Sequence, residues 1–175
     1  MESQFPFQPL PDYLRPGLKV LFVGFNPSIR SAEAGHHFAS PNNRFWNILY
    51  LAGLTPRKYK PVEDASLLEL GYGLTNIVAR PTRAAADVDA AEYTKGRALL
   101  LQKINLNTPQ TVCFVGKGVY QIYARKKQAD WGFQMSDVIP GVIDFVAPSS
   151  SGLVRMSMEQ VVAIYKSLSV FLMHS

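Results

Sequence analysis

The stretch "LKVLFVGFNPSIR", residues 18–30, decides how the chain is read. Apart from Lys19, its first seven residues are apolar or glycine, rich in Val, Leu and Phe, and too few for a helix. Such a run reads as a strand covered on both faces, the kind found in parallel sheets with helices on either side. At Asn26-Pro27 the run breaks, because proline holds the preceding residue in extended geometry. The polar loop that follows therefore starts at the carboxyl end of a central strand, the place where open α/β sheets bind ligands.

Working outward, "NRFWNILYLAGL" (43–54) reads as a helix, with Asn42 or Asn43 as its cap and Gly53 as its stop. A helix near 64–70 leads to a second strand, "YGLTNIVA" (72–79). Asp89 and Glu92 form a capping box that opens a long helix to about Asn105, with Ala98, Leu101 and Ile104 spaced to face the core. "QTVCFVG" (110–116) is a third strand, followed by a helix over "KGVYQIYARK", and "VIDFVAP" (142–148) is a fourth. Ser157 and Gln160 cap a last helix with an apolar stripe of Val161, Ile164, Tyr165, Leu168 and Phe171. The expected fold is α/β, a three-layer αβα sandwich on a mostly parallel sheet of about four strands. Neither a repeat nor a low-complexity linker divides the chain, so residues 1–175 read as one domain with 1–16 as an amino-terminal extension.

Composition removes several function classes. Hydrophobic residues make up 47% and charged residues 18% of the 175, which is neither disordered nor membrane-like. Apolar runs are strand-sized, far short of a bilayer span, and "MESQFPFQPLPDYLRPG" lacks the pattern of a signal peptide. The expected location is the cytoplasm, beside the nucleoid in a bacterium, with no membrane partner. Cys113 is the only cysteine and sits in an apolar run, which leaves no disulfide framework or cysteine-built metal site. His36 and His37 are adjacent and seldom aim at one ion, so neither metal nor cofactor is expected. The formal charge is +5, and between Arg15 and Lys60 Glu33 is the sole acidic residue against Arg15, Lys19, Arg30, Arg44, Arg57, Lys58 and Lys60. That skew fits a polyanion, although it also fits plain solubility.

Three polar loops follow strands and could converge: "GFNPSIRSAEAGHHFASPN", "ARPTRAAADV" and "APSSSGLVRMS". Asn26 offers a carboxamide that donates and accepts at once, suited to holding a water or a base edge, yet it does not titrate and is no general base. The plainer reading of Asn-Pro is a turn that ends the strand. Phe38 sits among polar loop residues, where stacking on a planar ligand and packing are equally consistent. "PSSSGLVRMS" offers small hydroxylated residues for a phosphate, with Leu153 and Arg155 beyond them to enter a duplex, or else an ordinary serine-rich turn. No P-loop, dinucleotide turn or nucleophile elbow is present.

Together, "GFNPSIRSAEAGHHFASPNNRFWNILYLAGL", "YGLTNIVARPT", "GKGVY" and "PSSSGLVR" resemble the mismatch-specific uracil/thymine DNA glycosylase family, the second family of the uracil-DNA glycosylase superfamily. The resemblance runs in order from about Leu18 to Leu172. It implies that Asn26 holds the catalytic water, that Phe38 stacks on the extruded base and that His37 belongs with the catalytic residues. Ser31 would face the C5 edge of the pyrimidine, Asn76 would read the base, and Gly24 and Phe25 would lie in the substrate pocket. Ser149, Ser150 and Gly152 would grip phosphate, while Leu153 and Arg155 would form the wedge that enters the base stack. The implied partner is double-stranded DNA with a mismatched or damaged base, bound by a monomer. Ser28 and Arg30 depart from the usual small residues beside the asparagine.

The implied reaction is hydrolysis of the N-glycosidic bond of a flipped-out base to leave an abasic site, with uracil opposite guanine favoured. A carboxylate at position 26 would attract a cationic sugar, so Asn26→Asp is expected to retain or raise activity. Two other readings remain: a mismatch-binding protein on the same fold without chemistry, and a small-molecule N-glycoside hydrolase, for which the wedge would serve no purpose.

Overall fold

The computed structural model describes residues 7–135 and 137–175; of the extension expected over 1–16, residues 1–6 lie outside the described residues. Five strands form one sheet: β1 (Val20–Gly24), β2 (Tyr72–Asn76), β3 (Thr111–Val115), β4 (Gly132–Phe133) and β5 (Ile143–Ala147). Their order is β2-β1-β3-β5-β4, with every pair parallel except β4 against β5. The helices are α1 (Ile29–Ala34), α2 (Phe45–Leu51), α3 (Ala90–Asn107), α4 (Lys117–Ala124) and α5 (Met158–Met173), with a 3-10 helix over Pro61–Leu70.

Strand alternation builds two cores. Val20 and Phe22, Cys113 and Val115, and Phe145 and Ala147 face one side, where Phe45, Ile48 and Leu49 of α2 and Val161, Tyr165 and Leu168 of α5 cover them. Leu21 and Val23, Val112 and Phe114, and Val146 face the other, under Leu100 and Ile104 of α3 and Val119, Tyr120 and Tyr123 of α4. The three-layer α/β expectation is met. The order of strands reverses between β1 and β3, so a crevice opens beyond their carboxyl ends, at Gly24 and Val115.

Several local expectations are corrected. The sheet has a fifth strand, β4, whose two residues carry no periodic signal. The loop after β1 contains α1, capped by the Ser28 side chain accepting the Ser31 N–H at 3.1 Å. Helix α2 is shorter than 43–54; Asn43 Oδ1 accepts the Phe45 N–H at 3.0 Å, and Gly53 takes the left-handed turn just beyond it. On α3 the buried stripe is Gly96, Leu100 and Ile104, while Ala98 is exposed and Leu101 half-buried. A Cβ at Gly96 would overlap the Ile77 carbonyl, so the helix seats its backbone there and buries Leu100 rather than Leu101, with Ile104 in the core as expected.

The segment before β1 acts as a strap along the edge strand β2. Tyr13 N–H donates to the Leu74 carbonyl at 2.9 Å and Leu74 N–H returns a bond to Tyr13 at 3.0 Å. Asp12 accepts from Thr75 Oγ1 at 2.7 Å and pairs with Lys103 at 2.7 Å.

Candidate active site

The three loops after β1, β2 and β5 do converge, around a cleft of about 720 Å³. Its lining includes Gly24, Phe25, Asn26, Ser31, His37, Phe38, Asn76, Ser149, Ser150, Gly152 and Leu153; Arg155 lies outside it, exposed beyond the loop tip. No carboxylate lines the cleft among the described residues, whereas Arg83 does.

Asn26 is held by its amide nitrogen. Nδ2 donates to the Arg80 carbonyl at 2.9 Å and to Thr82 Oγ1 at 2.7 Å, which uses both of its hydrogens. The Oδ1 atom is then an acceptor with no protein donor among the described residues. Thr82 in turn donates to the Ala84 carbonyl at 2.8 Å, so its hydroxyl orientation is set and it accepts from Asn26. Arg80 is anchored by Glu92, with Nη2 to Oε2 at 3.0 Å, and by the Asp87 carbonyl at 2.8 Å. The guanidinium pulls the Glu92 carboxyl down to about 2. Glu92 also closes the capping box of α3, accepting the Asp89 N–H at 2.9 Å. Asn26 thus hangs, through one carbonyl, on the start of a long helix.

Gly24 and Asn76 face each other at the ends of β1 and β2. A Cβ on Gly24 would overlap Asn76 Oδ1 and lie 3.4 Å from Phe38 Cζ, so only glycine leaves both groups in place. The Asn76 carboxamide makes no hydrogen bond to the protein among the described residues and lines the cleft. Phe38 stacks on Phe45 at 3.9 Å and 22°, with a φ of 52°. That left-handed backbone costs about 1 kcal/mol or more in a residue with a side chain. Its neighbours enforce it: His37 N–H donates to Asp64 Oδ2 at 2.9 Å, and Ala39 N–H to Ser31 Oγ at 3.0 Å. Ser31 also receives the Ser28 hydroxyl at 3.1 Å, so Ser28 is a working part of the loop rather than a bystander.

His37 is buried, with its Nε2 2.7 Å from the Pro11 carbonyl. Since a carbonyl only accepts, that nitrogen carries the proton. Burial holds the imidazole below its usual value, against the raising effects of the Pro11 bond and Asp64. The ring is therefore neutral near pH 7, with Nδ1 as its lone-pair side. His36 instead pairs with the buried Asp64 at 3.1 Å. Among the described residues no three His, Cys, Asp or Glu side chains gather as a metal-binding group.

The loop after β5 is built from short serine bonds. Ser149 Oγ accepts the Ser151 N–H and Ser151 Oγ accepts the Leu153 N–H, each at 3.2 Å. Ser150 is buried and supports the loop through its carbonyl, which receives the Arg44 N–H at 2.8 Å. A Cβ on Gly152 would stand 2.8 Å from the Asn42 carbonyl, so glycine lets the two loops touch. Leu153 is 92% exposed at the tip, an apolar side chain held in water at the mouth of the cleft.

Sequence reasoning missed Thr82, the Arg80 carbonyl and Glu92. Thr82 lies beyond β2, paired with Ser28 in an isolated parallel bridge shifted by two residues from the β1·β2 register, and no local sequence signal marks it.

Comparison with known proteins agrees with this architecture. The solution NMR structure of a candidate uracil DNA glycosylase from Methanosarcina acetivorans superposes with a TM-score of 0.57 at 18% identity, covering 93% of this chain and 98% of that one. The family model of the uracil DNA glycosylase superfamily matches residues 11–169, from the strap that carries Pro11 to the end of α5. The chain belongs to the uracil DNA glycosylase superfamily.

Proposed function

We propose that the cleft hydrolyses the N-glycosidic bond of uracil extruded from duplex DNA, favouring uracil opposite guanine, and that it does so without cutting the strand. The observation that carries the reading is Asn26, whose amide hydrogens are both committed so that Oδ1 is left to accept from a water. Water oxygen bonds to C1′, the bond from C1′ to N1 breaks with its electrons going to the base, and the water's proton leaves to solvent. The sugar gains oxocarbenium character and uracil leaves as an anion, so a cleft lined by Arg83 and, among the described residues, by no carboxylate favours the departing charge. Phe38, backed by Phe45, would stack on the base, and Asn76 would read its edge with an unengaged carboxamide. Neutral His37 would contribute Nδ1 as an acceptor and wall, because its proton is committed to Pro11. Leu153 would fill the gap left by the extruded base, with Arg155 beyond it on the DNA backbone. A monomer suffices, since every group named comes from one chain.

The hydrogen bonds of Asn26 argue for the opposite outcome to the one expected for Asn26→Asp. A carboxylate there would set an oxygen about where Nδ2 lies, 2.9 Å from the Arg80 carbonyl oxygen. The variant should work only while protonated, with a rate that falls as pH rises. The test is single-turnover cleavage of labelled duplexes carrying G·U, A·U, G·T or hypoxanthine, plus single-stranded uracil, with alkali to reveal abasic sites. Asn26→Ala is expected to lose activity by orders of magnitude; an alanine variant at wild-type rate would sink the proposal.

A further inference from the structure

Beside the cleft runs a second groove of about 430 Å³, within the size range of ligand pockets. Phe25 and Val115 form a floor that it shares with the cleft, and Val154 forms a wall. The loop tip separates the two spaces, since Leu153 lines one while Val154 and Arg155 line the other. Trp131 stands at the groove, 38% exposed, with the Lys117 ammonium 4.2 Å from its ring centroid. Neither Lys117 nor Arg155 has a carboxylate partner among the described residues. The exposed indole and the Lys117 ammonium have no role in the proposed hydrolysis, and Arg155 none in the bond-breaking step itself.

We propose that this groove is a subsite for a nucleotide flanking the extruded base, taking its phosphate between Lys117 and Arg155 and its base on Trp131. The inference rests on the glycosylase reading for its place on the DNA, and on its own observations for the ligand. A nucleotide matches the groove in both chemistries. Its phosphodiester meets the cations, and its flat base meets the indole once the phosphate draws the ammonium off the ring. A peptide of acidic residues would satisfy the cations but leave the indole without a planar partner. The groove continues from the cleft across Phe25 and Val115, so a strand whose base enters the cleft has its neighbouring residue directed here.

The protein carries its own probe. Trp46 is 4% exposed and Trp131 is the other tryptophan, so quenching by an added oligonucleotide reports Trp131. Titrating with single-stranded pentathymidylate should quench the emission of the wild type, with no quench in W131F. The half-saturating concentration should rise roughly tenfold in K117Q, as expected for loss of a charged contact. Absence of quenching in the wild type, or equal quenching in W131F, would overturn the subsite. In a second arm, G·U duplexes are shortened from each end of the uracil strand. Shortening past the groove should weaken wild-type cleavage about tenfold and leave W131A no worse than on the full duplex. An equal shortening penalty in both proteins would overturn the inference while leaving the glycosylase intact. If no duplex is cleaved at all, the glycosylase reading fails and the quenching arm alone still decides the groove.

Discussion

Replacing Asp144 with Asn should stabilise the protein, and by an amount that depends on pH. Asp144 is fully buried in β5, paired in register with Val112 on the face covered by α4. Oδ2 receives only a long bond from Val138 N–H at 3.3 Å, and neither Oδ1 nor the hydroxyl of Tyr123 has a partner among the described residues. Burial pushes the carboxyl up to about 6, with Asp137 adding to the effect and the Val138 bond and Lys126 opposing it. The unfolded value is near 3.8, so between these limits the folded state binds more protons than the unfolded one. Stability therefore falls as pH rises through that window, and the full penalty is present above it. Two pKa units correspond to about 3 kcal/mol at pH 8 and about 1 kcal/mol at pH 4.5. Asn keeps the shape and an acceptor for Val138 without the charge, at a burial cost of its own of about 1 kcal/mol. The variant should thus gain about 2 kcal/mol at pH 8 and roughly nothing at pH 4.5, a rise in Tm of about 4–8 °C at the higher pH. Urea melts of both proteins at the two pH values make the measurement. A variant no more stable at pH 8, or equally stabilised at both, would refute the electrostatic reasoning.

Three further outcomes test the cleft. Glu92→Gln should loosen Arg80 and lower the single-turnover rate about tenfold with little change in DNA affinity, because it acts through the carbonyl that holds Asn26; the loss should appear in the rate at saturation. The support from ionised Glu92 is present above pH about 4.5 and is lost as pH falls toward 2, the reverse of Asp144. Gly24→Ala should displace Asn76 or Phe38 and reduce cleavage by at least tenfold while the fold survives, checked by rate together with circular dichroism. Leu153→Ala should leave Tm within about 1 °C, because the side chain is already in water, yet slow cleavage of A·U more than of G·U, since the better-paired base is harder to extrude.

The sheet was legible because its four main strands are short, mostly apolar runs rich in Val, Phe, Leu and Ile, a local signal that burial on both faces produces directly. Asn26 and Phe38 stood out as polar-loop residues, and both line the cleft, although Phe38 also packs on Phe45. What escaped was set by contacts between distant segments. The face of α3 depends on Gly96 meeting the Ile77 carbonyl, and spacing alone picks Ala98 and Leu101 where Gly96 and Leu100 are buried. Thr82 and Arg80 act on Asn26 through a hydroxyl and a carbonyl, neither of which marks a residue type as functional. The unmet groups of Asp144 and Tyr123 lie on different elements, and in the sequence each looks like an ordinary strand or helix residue.

The strap along β2 ties two events together. Tyr13 closes the open edge of the sheet, Leu10 lines the cleft, and the Pro11 carbonyl holds the His37 ring. Fraying of those few residues would at once remove a wall of the pocket, free an imidazole proton and bare an edge strand able to pair with another chain. Because the Leu74 amide is protected only by the Tyr13 carbonyl, its deuterium uptake reads the opening of the pocket and the exposure of the edge as a single rate.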